Sequence, residues 1–194
     1  MKKWAGFAGL GLVMAGTNVI AGEPAFDCTK AHGEVEKMIC RDSGLAALDQ
    51  KMQKVFDQAM LAYPETEKPL QRAMQRGWIK GRNECWKDVD VRACTEYEYK
   101  TRIIDLQITS GQLEVPQAVA LDCNDNSQPF TAVFYEQTDP KSAVLTRGND
   151  QIIVLAKPTA SGTKYVGRNV TYNEHQGEIK INWFDNKLEC KAER

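Results

Sequence analysis

The hydrophobic period of this chain changes once, near residue 112, and that change rules out one continuous architecture. Before it, apolar residues recur every three or four positions. Leu45, Leu48, Met52, Val55, Phe56 and Ala59 share one face of a helix expected over about 44–63, with Asp42 or Ser43 placed to cap it. Pro64-Glu65-Thr66 ends that helix. A second is expected over about 67–83 with Leu70, Ala73, Met74 and Trp78 inward. A third, over about 91–108 and capped by Asp90, would turn Val91, Cys94, Tyr97, Ile104 and Ile108 inward. A shorter helical turn is expected over 34–40. Connections this short make antiparallel neighbours, a small bundle. Gly77 and Gly81 lie one turn apart in the second helix, each costing about 1 kcal/mol relative to alanine. Either they admit a neighbouring backbone or they sit on the surface.

After Ser110-Gly111-Gln112 the residues become β-formers in short runs: 118–121, 130–135, 143–146, 152–155, 164–166, 170–172, 179–183 and 187–189. Turn chemistry separates them, at Asn124-Asp125-Asn126, Asp139-Pro140, Gly148-Asn149-Asp150, Ser161-Gly162 and Asp185-Asn186. Eight such strands with no helix between them form an antiparallel barrel or closed sandwich. The expected fold is therefore α and β in separate domains: a helical bundle over 22–112 and an eight-stranded antiparallel β-barrel over 113–194.

Residues 1–21 read as an export signal. Lys2 and Lys3 precede an uncharged stretch from Trp4 to Ile20, and Val19 and Ala21 suit a cut after Ala21. Gly6, Gly9, Gly11, Gly16, Thr17 and Asn18 break the apolar run, which is shorter than the ~20 residues a membrane span needs. A periplasmic product with no membrane insertion after cleavage is expected. Lipidation needs a cysteine at the cut, whereas the first, Cys28, follows Ala25-Phe26-Asp27. All six cysteines lie beyond the signal, and an even number in an exported chain reads as three disulfides. Cys123 near the first strand and Cys190 in the last would tie the sheet's ends together, a loop closure contributing about 4 kcal/mol. Cys28, Cys40, Cys85 and Cys94 are left to pair within the helical half, in any of three ways. A metal site is not expected, since there is no C-x-x-C and the only histidines are His32 and His175. No cofactor is implied. A net charge of −1 lacks the basic footprint of a nucleic-acid binder.

Two stretches resemble known families. Phe26-Asp27-Cys28, Val35 to Cys40, Leu45-Ala46-Ala47-Leu48-Asp49, Gln75-x-x-Trp78, Arg82-Asn83-x-Cys85, then Cys94, Tyr97 and Arg102-Ile103 resemble the LprI-like N-terminal family of exported helical domains. From about Leu121 to Cys190 the chain resembles the MliC/PliC family, β-barrel inhibitors of c-type lysozyme. There, Thr159-Ala160-Ser161-Gly162-Thr163-Lys164-Tyr165 follows the family's S-x-S-G-x-[RK]-Y with its first serine changed to Thr159. The family's later K-G-D-E falls, without a gap, on His175, Gln176, Gly177 and Glu178.

The resemblance implies a periplasmic inhibitor whose Ser161 loop enters the lysozyme cleft, with Ser161, Gly162, Lys164, Tyr165 and His175 as its binding residues; read by themselves, Lys164 is either a rim contact or a solvated strand residue, and Tyr165 suits core or barrel-rim packing better than direct contact. In c-type lysozyme that cleft holds one protonated and one ionised carboxyl group. A serine hydroxyl can donate to and accept from the acid. His175 would take the lysine's place beside the ionised carboxylate. The alternative is an envelope interaction module that has lost inhibition. An enzyme is not expected: Ser161-x-x-Lys164 matches the S-x-x-K nucleophile motif, but its companion K-T-G is absent and the serine lies between strands rather than opening a helix.

Overall fold

The computed structural model describes residues 22–193; the export signal and the cut after Ala21 expected from the sequence lie outside the described residues. Four helices come first: α1 (Glu34–Arg41), α2 (Ser43–Ala62), α3 (Lys68–Asn83) and α4 (Val91–Thr109). Asp42 caps α2 by accepting from the Leu45 amide at 3.0 Å, and Asp90 caps α4 through the Ala93 amide at 2.9 Å. The inner face of α2 is the one its period indicates, with Leu45, Met52, Val55 and Ala59 buried.

The expectation for α3 is overturned. Its buried residues are Gln75 and Arg82, with Trp78 half-buried between them, while Leu70 and Met74 are 61% and 49% exposed. Ala73 is exposed as well. The helix is turned by polar bonding rather than by apolar burial. Arg82 Nη1 donates to the Tyr99 hydroxyl at 2.6 Å, which donates in turn to Asp49 Oδ1 at 2.7 Å. The guanidinium lies 5.5 Å from the Trp78 ring centre and 5.3 Å from that of Tyr99. Gln75 accepts from Arg102 Nε at 3.0 Å. Buried polar groups are tolerated only when so paired, and removing one partner costs about 3–5 kcal/mol. Burial pushes the Tyr99 phenol far above its ordinary value, so it stays a neutral relay between base and acid.

On α4, Ile104 is buried as expected, but Val91, Cys94, Tyr97 and Ile108 are only half-buried and the residues at the bundle centre are Tyr99, Ile103 and Leu106. This helix is covered on two sides, by the bundle and by the barrel, so no single apolar stripe marks its inner face. Gly77 and Gly81 would each admit a Cβ with nothing within 4 Å, so both are surface positions.

The strands are β1 (Val119–Cys123), β2 (Phe130–Tyr135), β3 (Ser142–Arg147), β4 (Asp150–Ala156), β5 (Thr163–Gly167), β6 (Val170–His175), β7 (Glu178–Trp183) and β8 (Asn186–Ala192). Each pairs antiparallel with the next, and β1 pairs with β8 to close the barrel. Closure removes every sheet edge. Cys123 and Cys190 face each other across that last seam and are bonded. In the helical half the bonds are Cys28–Cys40 and Cys85–Cys94.

Because the strands simply alternate direction, their connections alternate between two rims. One rim carries the loops 136–141 and 157–162 and the turn 176–177; the other carries 124–129, 148–149, 168–169 and 184–185. At the second rim the helical half is fastened. The Arg168 amide donates to the Tyr97 hydroxyl at 3.1 Å, and the Arg168 guanidinium pairs with Glu98 at 2.7 Å. Helix α4 packs on β4, across a barrel face whose outward side chains include Val133, Val144 and Ile153.

Candidate functional site

The first rim brings together residues that lie far apart in sequence. Ser161 and Gly162 form the tip of the β4–β5 loop. Two contacts shape it. Thr159 Oγ1 donates to the Ser161 carbonyl at 3.1 Å, a local bond that folds the loop on itself. Gly162 has φ +69, and a Cβ there would stand 2.0 Å from the Glu174 carbonyl oxygen and 3.2 Å from the His175 Cα. The chain therefore needs glycine here twice over, for the left-handed backbone and for the close approach.

That approach follows from register. Thr163 pairs with Glu174, Lys164 with Asn173 and Tyr165 with Tyr172, so the start of β5 lies against the end of β6. His175 pairs with Glu178 across a two-residue turn in which Gln176 has φ 53 and Gly177 φ 84. Positive φ at both central residues suits the right-handed twist of a hairpin. Glu174 Oε1 accepts from the Gly177 amide at 2.9 Å and braces the turn. Ser161, Gly162 and His175 thus share one rim, and all three are exposed. Lys164 is exposed too, on the outer wall, with Asn173 separating it from Lys180.

Tyr165, expected as core or barrel-rim packing more than as a direct contact, is turned inward. It is 5% exposed and packs inside the barrel, 5.5 Å from Phe134 and 6.0 Å from Tyr172 between ring centres. Strand alternation requires this: with Lys164 outward, its neighbour must point in. Burial raises both phenols, Tyr172 to about 12, so neither ionises near neutral pH and the pair serves as a fixed floor beneath the loop. The neighbouring loop adds the ion pair Glu136–Lys141, which raises the Lys141 ammonium above its ordinary value.

The rim therefore offers a hydroxyl, an imidazole and an ammonium on rigid supports. Among the described residues, no side chain is bonded to the Ser161 hydroxyl and no cluster of acidic, histidine or cysteine residues could hold a metal. Glu174, absent from the sequence reading, is what locks the two parts together. Its signal was the Gln176-Gly177 turn, which sets the β6–β7 register once read as a two-residue hairpin.

Residues 122–189 match the family described as membrane-bound lysozyme-inhibitor of c-type lysozyme. The class is thus a chain whose barrel is similar to that family and is preceded by a helical domain. Over 176 residues the chain is 32% identical to lipoprotein LprI of Mycobacterium bovis and of Mycobacterium tuberculosis, a match covering 91% of this chain and 87% of those proteins. The chain belongs to the LprI family. No solved structure matches it.

Proposed function

We propose that this protein is an exported envelope inhibitor of c-type lysozyme, a binding protein without turnover, and that the barrel over 113–194 carries the inhibition. The observation that carries this reading is the shared rim. A serine at an exposed, glycine-locked tip stands beside an exposed histidine, a pairing suited to a cleft with one protonated and one ionised carboxyl. Ser161 bonds to the acid, His175 sits beside the carboxylate, and Lys164 contacts the margin. The helical half supports the reading by its position, since it is fastened through Arg168 at the opposite rim and leaves the Ser161 tip open. The relatives are lipoproteins by name, whereas the first cysteine here, Cys28, is bonded to Cys40. No helix among the described residues is long and apolar enough to cross a membrane. We place the cut after Ala21 and the product in the periplasm.

The experiment is inhibition of a c-type lysozyme on cell-wall substrate, with a g-type lysozyme as control. Ser161→Ala should leave stability within ~0.5 kcal/mol and weaken inhibition by about tenfold, because a buried acid loses its partner. An unchanged inhibition constant removes Ser161 from the site. Residues 113–194 alone should still inhibit; inhibition by the helical fragment instead would reverse the assignment. One observation favours a second reading, an envelope interaction module without inhibition: His175 stands where the family has lysine. Failure to inhibit any c-type enzyme would establish it.

A further inference from the structure

Helix α3 buries its polar residues and leaves its apolar ones in water. Leu70 and Met74, one turn apart, are 61% and 49% exposed, and Ala73 stands exposed beside them. Gly77 and Gly81 extend the same strip, since both are exposed and an added Cβ at either would meet nothing within 4 Å. Among the described residues no neighbour covers these two, so their cost to the helix is not returned by packing.

Beside the strip runs a second row. Arg72, Arg76 and Lys80 recur every four residues, all three are exposed, and none pairs with a carboxylate among the described residues. The paired cations of this helix are Lys68, with Glu65, and Arg82, with Asp49. At about 100° per residue, the apolar strip and the basic row together cover roughly 200° of the helix circumference, each running along the axis for about 12–17 Å.

Charge and shape choose between occupants. A second copy of α3 would set these cations against their own kind, and like charges across an interface disfavour it. A peptide needs a groove, whereas the exposed side of a single helix is convex. A flat anionic lipid layer meets both rows at once. The apolar strip enters the boundary between headgroups and acyl chains, while the long basic side chains reach along the helix flank to the phosphates. With no side chains at Gly77 and Gly81, the helix backbone can lie close to that layer.

We propose that α3 docks this protein on an anionic lipid surface, with Leu70, Ala73 and Met74 at headgroup level and Arg72, Arg76 and Lys80 on the phosphates. The contact is reversible, because only two large apolar side chains enter the layer. It is separate from the Ser161 rim and does not rest on the lysozyme reading.

The test is flotation of the full mature chain with vesicles. At about 20 mM salt, vesicles of phosphatidylglycerol and phosphatidylcholine in equal parts should bind it at least ~10-fold more tightly than phosphatidylcholine alone. Raising salt to about 500 mM should remove most of that difference. Arg72→Gln/Arg76→Gln/Lys80→Gln should weaken binding to the anionic vesicles at least ~30-fold. Leu70→Gln/Met74→Gln, with every cation intact, should weaken it about 10-fold through the lost apolar contact. Glutamine suits a helix about as well as the residues it replaces, so both variants should keep the natural urea midpoint. Lysozyme inhibition in solution should be unchanged in both, so the two readings fail separately. Natural affinity in Leu70→Gln/Met74→Gln would reduce the face to a charge patch that an acidic protein could fill. That result, equal binding to neutral and anionic vesicles, undiminished binding by the triple variant, or no flotation at all overturns the proposal.

Discussion

Replacing Gly162 by alanine tests the rim at its tightest point. Two costs apply. A non-glycine residue in the left-handed region costs roughly 1–2 kcal/mol. The new Cβ would also stand 2.0 Å from the Glu174 carbonyl oxygen, a backbone atom at a strand end that cannot swing aside. Relief requires parting Thr163 from Glu174, which gives up a hydrogen bond of about 1 kcal/mol. Together the loss should be about 2–3 kcal/mol. Gly177→Ala is the internal control, because φ there is +84 but a Cβ would meet nothing within 4 Å. It should lose only the backbone part, ~1–2 kcal/mol. The assay is urea unfolding followed by emission of Trp183, which is 4% exposed in the barrel. Displacing the loop also moves Ser161 away from His175, so Gly162→Ala should weaken lysozyme inhibition at least tenfold while the protein remains folded. Equal losses for the two variants, or a loss below ~0.5 kcal/mol at Gly162, would refute the close approach to Glu174.

Three further outcomes are expected. If His175 faces the ionised carboxylate, His175→Lys should inhibit at least as well as the natural protein and His175→Ala more weakly; equal inhibition constants for all three would place the imidazole in solvent. In the helical half, hydrogen bonds from Arg92 and the Leu45 amide hold Asp42 below its ordinary value of 3.8, and bonds from the Gly33 and His32 amides hold Glu36 below 4.5 against partial burial. The unfolded chain then takes up protons first as pH falls, so stability is full above about pH 5 and is lost progressively below it. Asp42→Asn should flatten that loss, and an unchanged acid slope would contradict it. Gly77→Ala and Gly81→Ala should each stabilise the protein by about 1 kcal/mol, since neither position meets anything within 4 Å; destabilisation in urea would show a neighbour there.

Much of the architecture is legible without coordinates, and for a physical reason. The α2 face, the caps Asp42 and Asp90, the eight strands and the alternation that puts Lys164 out all depend on residues within a few positions of one another. Periodicity and turn chemistry report such local conditions directly. The S-x-x-K reading shows the limit of spacing alone, since the same four residues open a strand and place Ser161 in a loop rather than at the start of a helix.

The sequence by itself therefore determined the element types, their order and the change from bundle to barrel. Tertiary structure decided the rest. Apolar counting sends Arg82 and Gln75 to the surface, and only the distant partners Tyr99, Asp49 and Arg102 make their burial affordable and turn Leu70 and Met74 outward. Tyr99 displaced Tyr97 at the centre of the bundle because α4 has a second neighbour, the barrel, that its own period does not reveal. The meeting of Ser161 with His175 arises from strand register, and the second neighbour of α4 from the docking of two separately patterned halves. Those are contacts between residues far apart in the chain, and their free energies appear in no local window.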